Sequence, residues 1–275
     1  MRPLPKAAIA AATAAVLCLA VVAAVGPAAA SPTAQISSAA PPSSTPWPIP
    51  FGPKRKREMA DYSQRHYGQH RWRLRDPKVI VEHMSQTATA AAVYNTFAPD
   101  NPDVELGELP NVCSHYVISP AGKIFRLVNL RTRCRHTVGL NWTAIGIEHA
   151  GYGDGDLLGD RRQLRASLRL TQYLRCRFDI GVRNVIGHAE SLSSPYHHER
   201  VQSLRSQTHG DMAHSSMQVY RQKLRTLGRC RGSRPGSRGG RDSGIGDLLS
   251  LCDRKSTMPT GGSRGSRGAS TGSLP

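Results

Sequence analysis

Three short apolar runs, each followed by an ionisable side chain, constrain the fold of this chain more than any other feature. They are Val79-Ile80-Val81 before His83, Ile145-Gly146-Ile147 before Glu148, and Val185-Ile186-Gly187 before His188. Runs of this length and composition are typical of strands buried in a sheet. Where such strands lie side by side, the residues that follow them meet at one rigid edge of the sheet. The sequence therefore predicts two imidazoles and a carboxylate close together.

Helical and hairpin signals separate these strands. Asp160 is a suitable N-cap for a helix with a leucine face. Three other segments are predicted helices: 57–67, 85–94 and 217–227. Residues 115–128 predict a hairpin, because two apolar runs flank a turn that contains proline and glycine. The last strand is predicted at 182–186. Strands that alternate with helices indicate an α/β fold, with a mixed central sheet flanked by helices. We expect this fold to form a single domain over 57–230.

The two ends of the chain differ from this domain in composition. Residues 1–30 place two basic residues before an apolar run and a triple alanine, which is the layout of a secretory signal peptide; an uncleaved anchor is the alternative. Residues 31–56 are rich in Pro and Ser and end in a basic run, so we expect a linker there. Residues 231–275 repeat Gly, Ser and Arg without apolar periodicity, which predicts a disordered tail.

The cysteines outside the predicted signal peptide are scattered and form no C-x-x-C pair, which argues against a structural zinc site. Export would favour disulfides between them. Cys113 and Cys134 bracket the predicted hairpin, and a bridge there would contribute on the order of 3 kcal/mol. Cys176 could meet Cys230, which leaves Cys252 over. The pairing stays open, because sequence does not determine connectivity.

The chain is strongly basic, with a formal net charge of +18. This charge suits anionic polymers, acidic lipid surfaces or nucleic acid, and it carries no information on the fold. We expect no specific nucleic-acid binding, since no recognisable module is present. Thiol catalysis is not supported, and no pair of carboxylates is positioned for sugar hydrolysis. No segment after the signal peptide is long and apolar enough to span a bilayer.

The run Thr208-His209-Gly210-Asp211 adds a carboxylate and an imidazole after the last strand. Zinc is bound by imidazole nitrogen and carboxylate oxygen, and a catalytic site keeps one position for water. From the residues alone, His188 and Asp211 are candidate ligands. The alternative for any single strand-end histidine is a surface or hydrogen-bonded side chain.

In their order along the chain, these elements resemble the zinc-dependent N-acetylmuramoyl-L-alanine amidase family, shared by bacterial cell-wall amidases, phage amidases and animal peptidoglycan recognition proteins. The matching runs are Val79 to His83, Ser114 to Ile118, Asn141 to Glu148, Ile186 to His188, and Thr208 to Asp211. The segment from Gly187 to His197 is most similar to secreted bacterial members. The resemblance implies a mixed sheet flanked by helices, one zinc ion (Zn2+) and a groove for muropeptides.

The resemblance also implies roles for individual residues. His83, His188 and Asp211 match the metal ligands of the family, and Glu148 matches its catalytic acid. After His83 the sequence departs from the family pattern, because Met84-Ser85 replaces the usual small polar step.

Three further residues carry expected roles. His209 stands two residues before the last ligand, where many members have Lys, and we expect it to stabilise an oxyanion. A histidine can donate that hydrogen bond, but its charge depends on pH. His136 and Asn141 are expected to bind substrate.

The reaction that the resemblance implies is zinc-dependent hydrolysis of the amide bond between N-acetylmuramic acid and L-alanine in peptidoglycan. One alternative is a module that binds peptidoglycan without cutting it; relatives of that kind lose a metal ligand, whereas all three positions here carry capable residues. Another alternative is a cationic protein that acts through the basic run 54–57 and the Arg-rich tail. We expect that run to be a solvated helix start.

The expected partners follow from the same reasoning. They are peptidoglycan or muropeptides, with anionic cell-wall polymers as a further partner of the basic tail. We expect a secreted, wall-associated monomer without a transmembrane span.

Overall fold

The computed structural model describes residues 36–37 and 40–230. The predicted signal peptide, the start of the predicted linker, the predicted tail and Cys252 lie outside the described residues. The expectations for those parts of the chain remain predictions.

A mixed sheet forms the centre of the domain. The strands are β1 (Ile36–Ser37), β2 (Thr45–Pro46), β3 (Val79–Met84), β4 (Tyr116–Ile118), β5 (Ile124–Arg126), β6 (Ala144–His149), β7 (Val185–Gly187) and β8 (Arg229–Cys230). Six of them form one sheet in the order β2-β5-β4-β6-β3-β7, and β1 pairs with β8 separately. Strand β3 is parallel to both β6 and β7, while β4 and β5 form the predicted antiparallel hairpin.

Helices cover both faces of the sheet. They are α1 (Pro53–Tyr67), α2 (Ala90–Phe97), α3 (Asp154–Gly159), α4 (Arg161–Arg177) and α5 (His214–Thr226). The predicted cap is confirmed, because the Asp160 carboxylate accepts hydrogen bonds from the backbone N–H groups of Arg162 and Gln163. Within the part of the chain that the structure describes, no helix combines the length and apolarity that a bilayer crossing requires. The predicted fold class, a mixed sheet flanked by helices, is confirmed.

The central strands β3 and β6 serve two separate cores, because successive side chains of a strand point to opposite faces. Ile80 and Ile147 belong to a large core with leucines of α4 and with Tyr220 and Leu224 of α5. Val81 lies in a second core on the other face. By the same alternation, His83 and Glu148 share the face of Val81, and the two residues are paired in register. The predicted site therefore lies on the face of the sheet opposite α4 and α5.

Both disulfides that were considered from the sequence are present. Cys113 is bonded to Cys134, and Cys176 is bonded to Cys230. The first bond closes the segment that contains the hairpin, and the second ties α4 to β8.

Several predicted boundaries are wrong by three to five residues. The helices predicted at 57–67 and 217–227 begin earlier, at Pro53 and His214. The helix predicted at 85–94 begins at Ala90, because the Thr89 side chain caps it by accepting a hydrogen bond from the backbone N–H of Ala92. The strand predicted at 182–186 begins at Val185, and residues 182–184 form a 3₁₀ turn instead. A short apolar run by itself does not distinguish these local conformations.

The predicted linker is too long. Thr45–Pro46 pairs with β5 at the edge of the sheet, where proline is tolerated. The Trp47 ring stacks on Tyr94 with ring centroids 4.3 Å apart. Residues 45–56 therefore belong to the domain, because edge pairing and aromatic stacking hold a segment whose composition resembles a linker.

The basic run at 54–57 is only partly solvated. Arg55 is 2% exposed, and its guanidinium donates hydrogen bonds to the backbone carbonyls of Phe97 and Asn111. This residue ties the first helix to the end of α2, which corrects the expectation of a fully solvated helix start.

Candidate metal centre and active site

Three of the predicted site residues converge at the ends of neighbouring strands. His83 lies near the end of β3 and His188 follows β7, while Asp211 comes from the loop before α5. One ligand atom from each residue lies within 4.8 Å of the others. The Asp211 carboxylate has Oδ2 3.6 Å from Nδ1 of His83, and Oδ1 3.3 Å from Nδ1 of His188.

The loop that carries Asp211 is held in place from several sides. Asp154, at the start of α3, accepts hydrogen bonds of 2.8 Å from the backbone N–H groups of Met212 and Ala213. The backbone N–H of Met84 donates to Asp211 Oδ2 over 3.1 Å. The backbone carbonyl of Asp211 accepts from the N–H of Ala189 over 3.0 Å. The Asp211 carboxylate is therefore positioned by backbone contacts rather than by its own loop alone.

The electrostatics of the cluster favour a bound cation. Burial by itself would raise the pKa of the Asp211 carboxyl, but the adjacent imidazoles of His188 and His83 outweigh it and hold that pKa far below its ordinary value. Burial lowers the pKa of His188 to about 4, so this imidazole is neutral at physiological pH. For His83, burial opposes the charge, yet the nearby carboxylates of Glu148 and Asp211 raise its pKa. An ionised carboxylate and a neutral imidazole are the protonation states that a metal ion requires.

The three residues fit a zinc ion. Two imidazoles and a carboxylate form the donor set of a catalytic zinc site that leaves one position for water. Bonds of about 2.0–2.1 Å in a tetrahedral site place ligand atoms about 3.3 Å apart. The distances from Asp211 to the two histidines are close to this value.

Glu148 lies beside this cluster on the same face of the sheet. Its side chain is 7% exposed, and it lines a cavity of about 220 Å³ together with His83, His188 and Asp211. Burial raises the pKa of Glu148 to about 7. A carboxyl group that titrates near neutrality can both accept and return a proton, which is the property of a general base and acid.

His209 lies at the mouth of the same cavity. Its ring centroid is 4.6 Å from that of His188, and its side chain is 45% exposed. Nε2 of His209 is 3.0 Å from the Glu105 carboxylate, which holds the ring in place. Sequence reasoning missed Glu105, because it lies in a loop without a motif and 104 residues before its partner.

His136 also lines the cavity, but its contacts are with a predicted ligand. Its Nδ1 lies 3.1 Å from Nε2 of His83 and 2.9 Å from Oγ1 of Thr137. Its ring packs on Gly146 of β6, where a Cβ would stand 2.8 Å from ring atoms. His136 and Thr137 therefore surround the nitrogen of His83 that faces away from Asp211. Sequence reasoning gave no signal for Thr137.

The structure contradicts a substrate-binding role for Asn141. This residue is 1% exposed, and its Oδ1 accepts hydrogen bonds from the backbone N–H groups of His136 and Thr137. Its Nδ2 donates to the hydroxyl of Tyr62 over 3.2 Å. The amide of Asn141 therefore stabilises the loop that carries His136, and its hydrogen bonds are made inside the protein.

One wall of the cavity was not predicted. It is formed by Val93, Thr96 and Phe97 of α2, together with Val112. Arg135 also lines the cavity, but its guanidinium is bound to Asp103 and to the carbonyl of Pro110. An Ala- and Thr-rich helix carries no chemical signature in sequence, so its place beside the site follows only from the fold.

Residues 73–203 match the family model of N-acetylmuramoyl-L-alanine amidases. Residues 73–203 belong to this family. The matched span contains His83, Glu148 and His188, whereas Asp211 lies beyond its end. The contacts of the Asp211 loop with β3, β7 and α3 therefore extend the amidase domain past the matched residues.

Several solved structures are similar to the amidase domain. AmiD from E. coli, in a complex with the substrate anhydro-N-acetylmuramic acid-L-Ala-D-gamma-Glu-L-Lys, is 21% identical, with a TM-score of 0.34 over 42% of this chain and 50% of that chain. This chain thus spans half of the AmiD structure. The endolysin LysCS from Clostridium intestinale URNW is 15% identical, with a TM-score of 0.43 over 68% and 98% of the two chains. A selenomethionine derivative of AmpD is 15% identical, with a TM-score of 0.42 over 69% and 98%. No curated protein sequence matches this chain.

Proposed function

We propose that this protein is a zinc-dependent peptidoglycan amidase that hydrolyses the amide bond between the lactyl group of N-acetylmuramic acid and L-alanine. The observation that carries the proposal is the convergence of His83, His188, Asp211 and Glu148 on one cavity. The family match over residues 73–203 supports the choice of substrate.

His83, His188 and Asp211 would hold the zinc ion. When bound, the ion lowers the pKa of water towards neutrality and polarises a carbonyl group. The chain's own contribution is a carboxylate and two imidazoles that are already placed together. Asp154 holds the loop of Asp211, and His136 and Thr137 lie against His83. These contacts would limit the rearrangement that zinc binding requires.

Glu148 is the proposed general base and acid. It takes a proton from the attacking water, whose oxygen adds to the carbonyl carbon. When the C–N bond breaks, the same carboxyl returns the proton to the leaving amine of L-alanine. A pKa of about 7 supports both steps, because the two protonation states are then similarly populated at neutral pH.

His209 is the proposed partner of the oxyanion. It lies beside His188 at the cavity mouth, and Glu105 anchors its Nε2 there. A donor aimed at the oxygen that becomes negative stabilises the transition state more than the ground state. His136 is retained as a proposed substrate contact, because it lines the cavity.

We also propose that the enzyme is exported and acts on the cell wall. The two disulfides of the domain support this proposal, since such bonds persist in oxidising compartments. Muropeptides and peptidoglycan are the proposed substrates, and the proposed assembly is a monomer.

The central experiment compares the full-length protein with His188→Ala and with the control His198→Ala, which alters an exposed histidine outside the cluster. The wild-type protein should contain one zinc per chain and release a peptide with a free L-alanine amino terminus from a soluble muropeptide. His188→Ala should lose both zinc and turnover, and His198→Ala should keep both. Full turnover by His188→Ala would refute the metal assignment. A wild-type protein that binds zinc and muropeptide without cleavage would be a binding module instead.

A further inference from the structure

The two helices on the face opposite the candidate active site carry no acidic residue. Helix α4 reads RRQLRASLRLTQYLRCR, and α5 reads HSSMQVYRQKLRT. Both pack on the core that contains Ile80 and Ile147, whereas His83 and Glu148 lie on the other face of those strands. The cluster that contains Asp211 and Glu148 and this basic surface are therefore separated by the sheet.

The arginines of α4 form a row. Arg161, Arg165 and Arg169 follow one another at intervals of four residues, and Tyr173 and Arg177 continue the spacing. Residues four apart are neighbours on a helix surface, about 6 Å apart along its axis. Because an α-helix has 3.6 residues per turn, the row winds slowly around α4.

The charges of this row are not neutralised within the domain. Its four arginines are all exposed. Among the ion pairs of the described residues, α4 contributes only the contact of Arg162 with its own cap, Asp160. Unpaired guanidinium groups in a line are the arrangement that binds phosphate groups, since each offers a planar fork of donors.

Two hollows lie along the row. The first is a groove of about 490 Å³ between α4 and α5, with Lys223 at its rim opposite Arg161, Arg165 and Arg169. The second is a pocket of about 450 Å³ between the end of α4 and the hairpin. Arg126 and Arg131 line this pocket together with Tyr173 and Arg177. The row thus connects two cationic hollows into one continuous track.

We propose that this track binds a linear phosphodiester polymer of the polyol-phosphate class, which would hold the domain on that polymer through the face opposite the candidate active site. The complementary charge selects a polyanion, and the winding row suits a flexible chain. This binding does not depend on the proposed hydrolytic activity, because the track shares no residue with the metal centre.

The surface is less suited to a membrane or to nucleic acid. Two of the four leucines of the groove, Leu164 and Leu168, are only 8% and 9% exposed, and the other two are half-buried. Interfacial helices instead insert protruding apolar side chains. Binding to single-stranded nucleic acid uses aromatic rings on which bases stack. The aromatic rings of Tyr173 and Phe178, which line the second pocket, are instead covered by the Arg177 guanidinium, 5.9 Å and 5.5 Å from the ring centroids.

The test compares three full-length proteins: wild type, the track variant Arg161→Gln/Arg165→Gln/Arg169→Gln, and the control Arg57→Gln/Arg71→Gln/Arg75→Gln. The control removes the same charge from exposed positions on α1 and the segment after it. The arginines of the 231–275 segment are identical in all three proteins. Binding to purified poly(glycerol phosphate) is measured by calorimetry over a series of salt concentrations, with thermal unfolding as a check of folding.

The track variant should bind at least about tenfold more weakly, and its slope of log K against log salt should be shallower by about 2, since each phosphate contact contributes roughly 0.7–0.9 to the slope. The affinity of the control should stay within about twofold of wild type, because its three arginines make no phosphate contacts in the proposed complex. Unchanged binding by the track variant, or an equal loss in the control, would overturn the proposal.

Two further probes decide the source of the phosphate groups. Vesicles of phosphatidylglycerol and an oligothymidine are compared with poly(glycerol phosphate) at equal phosphate concentration. Tighter wild-type binding to the vesicles or to the oligothymidine would overturn the assignment in favour of a membrane or a nucleic acid. The same titrations in the His188→Ala background should be unchanged, so failure of this proposal and failure of the hydrolytic proposal are distinguishable.

Discussion

Gly187 lies against the backbone carbonyl of Met212, so closely that a Cβ at position 187 would stand 1.7 Å from that oxygen. Gly187 immediately precedes His188, and Met212 immediately follows Asp211. The contact therefore sets the distance between two candidate metal ligands that are 23 positions apart in the sequence. A side chain at position 187 would push the loop of Asp211 away from the strand that ends at His188.

Gly187→Ala should weaken zinc binding and destabilise the fold. The methyl group has no space, and overpacking of this kind costs about 1–3 kcal/mol even when the backbone shifts. Zinc affinity, measured by competition with a chelator, should fall by at least about tenfold, which is typical when the support of a ligand is lost. Gly210→Ala is the matched control in the same loop, because no atom lies within 4 Å of its Cβ position. Wild-type zinc affinity in Gly187→Ala would show that the loop has another way to approach the strand.

Asp154→Ala should lower zinc affinity without touching a ligand. Its carboxylate holds the two backbone N–H groups that follow Asp211, so its loss should free the loop and reduce zinc affinity by about 10–100-fold. Asp160→Ala is the control, since it removes a helix cap at a cost of about 1 kcal/mol but leaves the loop intact. Equal zinc affinities for the two variants would contradict the positioning role of Asp154.

Glu148→Gln should retain zinc and lose turnover. The amide is close in size to the carboxylate but cannot accept or return a proton, so kcat should fall by about 10²–10⁴-fold. Zinc content is measured alongside the hydrolysis of a soluble muropeptide. The control Glu58→Gln makes the same exchange on α1, where it alters contacts with Lys54 and Asp100, and it should behave as wild type. Turnover that survives in Glu148→Gln would assign the proton transfer to another group.

His115 should make the domain less stable as the pH falls. It is fully buried, with Nδ1 accepting a hydrogen bond from the N–H of Gly146 and Nε2 donating to the carbonyl of Thr132. Burial lowers its pKa from 6.5 to about 4 in the folded state. The unfolded chain therefore binds the proton first, and stability is lost between about pH 6.5 and pH 4, by up to roughly 3 kcal/mol. Below about pH 4 His115 is protonated in both the folded and the unfolded state, so it causes no further loss of stability.

Urea unfolding at a series of pH values checks this prediction. In His115→Asn the slope of the unfolding free energy against pH in that window should decrease by up to about 1.4 kcal/mol per pH unit, which is one proton. His149 continues to contribute in the variant, because burial lowers its pKa to about 4 as well. An unchanged slope would mean that His115 is protonated in the folded state over the whole window.

The central strands, and the proximity of His83, His188 and Asp211, could be predicted from the sequence, because the strands and the candidate ligands have recognisable local patterns. Val79-Ile80-Val81 and the equivalent runs have the composition of buried strands, and the alternation of the strand decides which face the ionisable residue near the end of each run lies on. The predictions for 31–56 and for Asn141 failed for the opposite reason. A proline-rich segment and a polar amide carry no local signal that reveals a distant partner. In the structure, Trp47 stacks on Tyr94, and Asn141 donates a hydrogen bond to Tyr62.

The sequence by itself determined which residues could hold a metal ion and move a proton, because imidazole and carboxylate chemistry is a property of the side chain. Only the tertiary structure decided how they are supported and tuned. Burial raises the pKa of Glu148 to about 7, and the approach of Met212 to Gly187 brings Asp211 to His188. Both effects depend on segments far apart in the chain, whose packing no local pattern encodes.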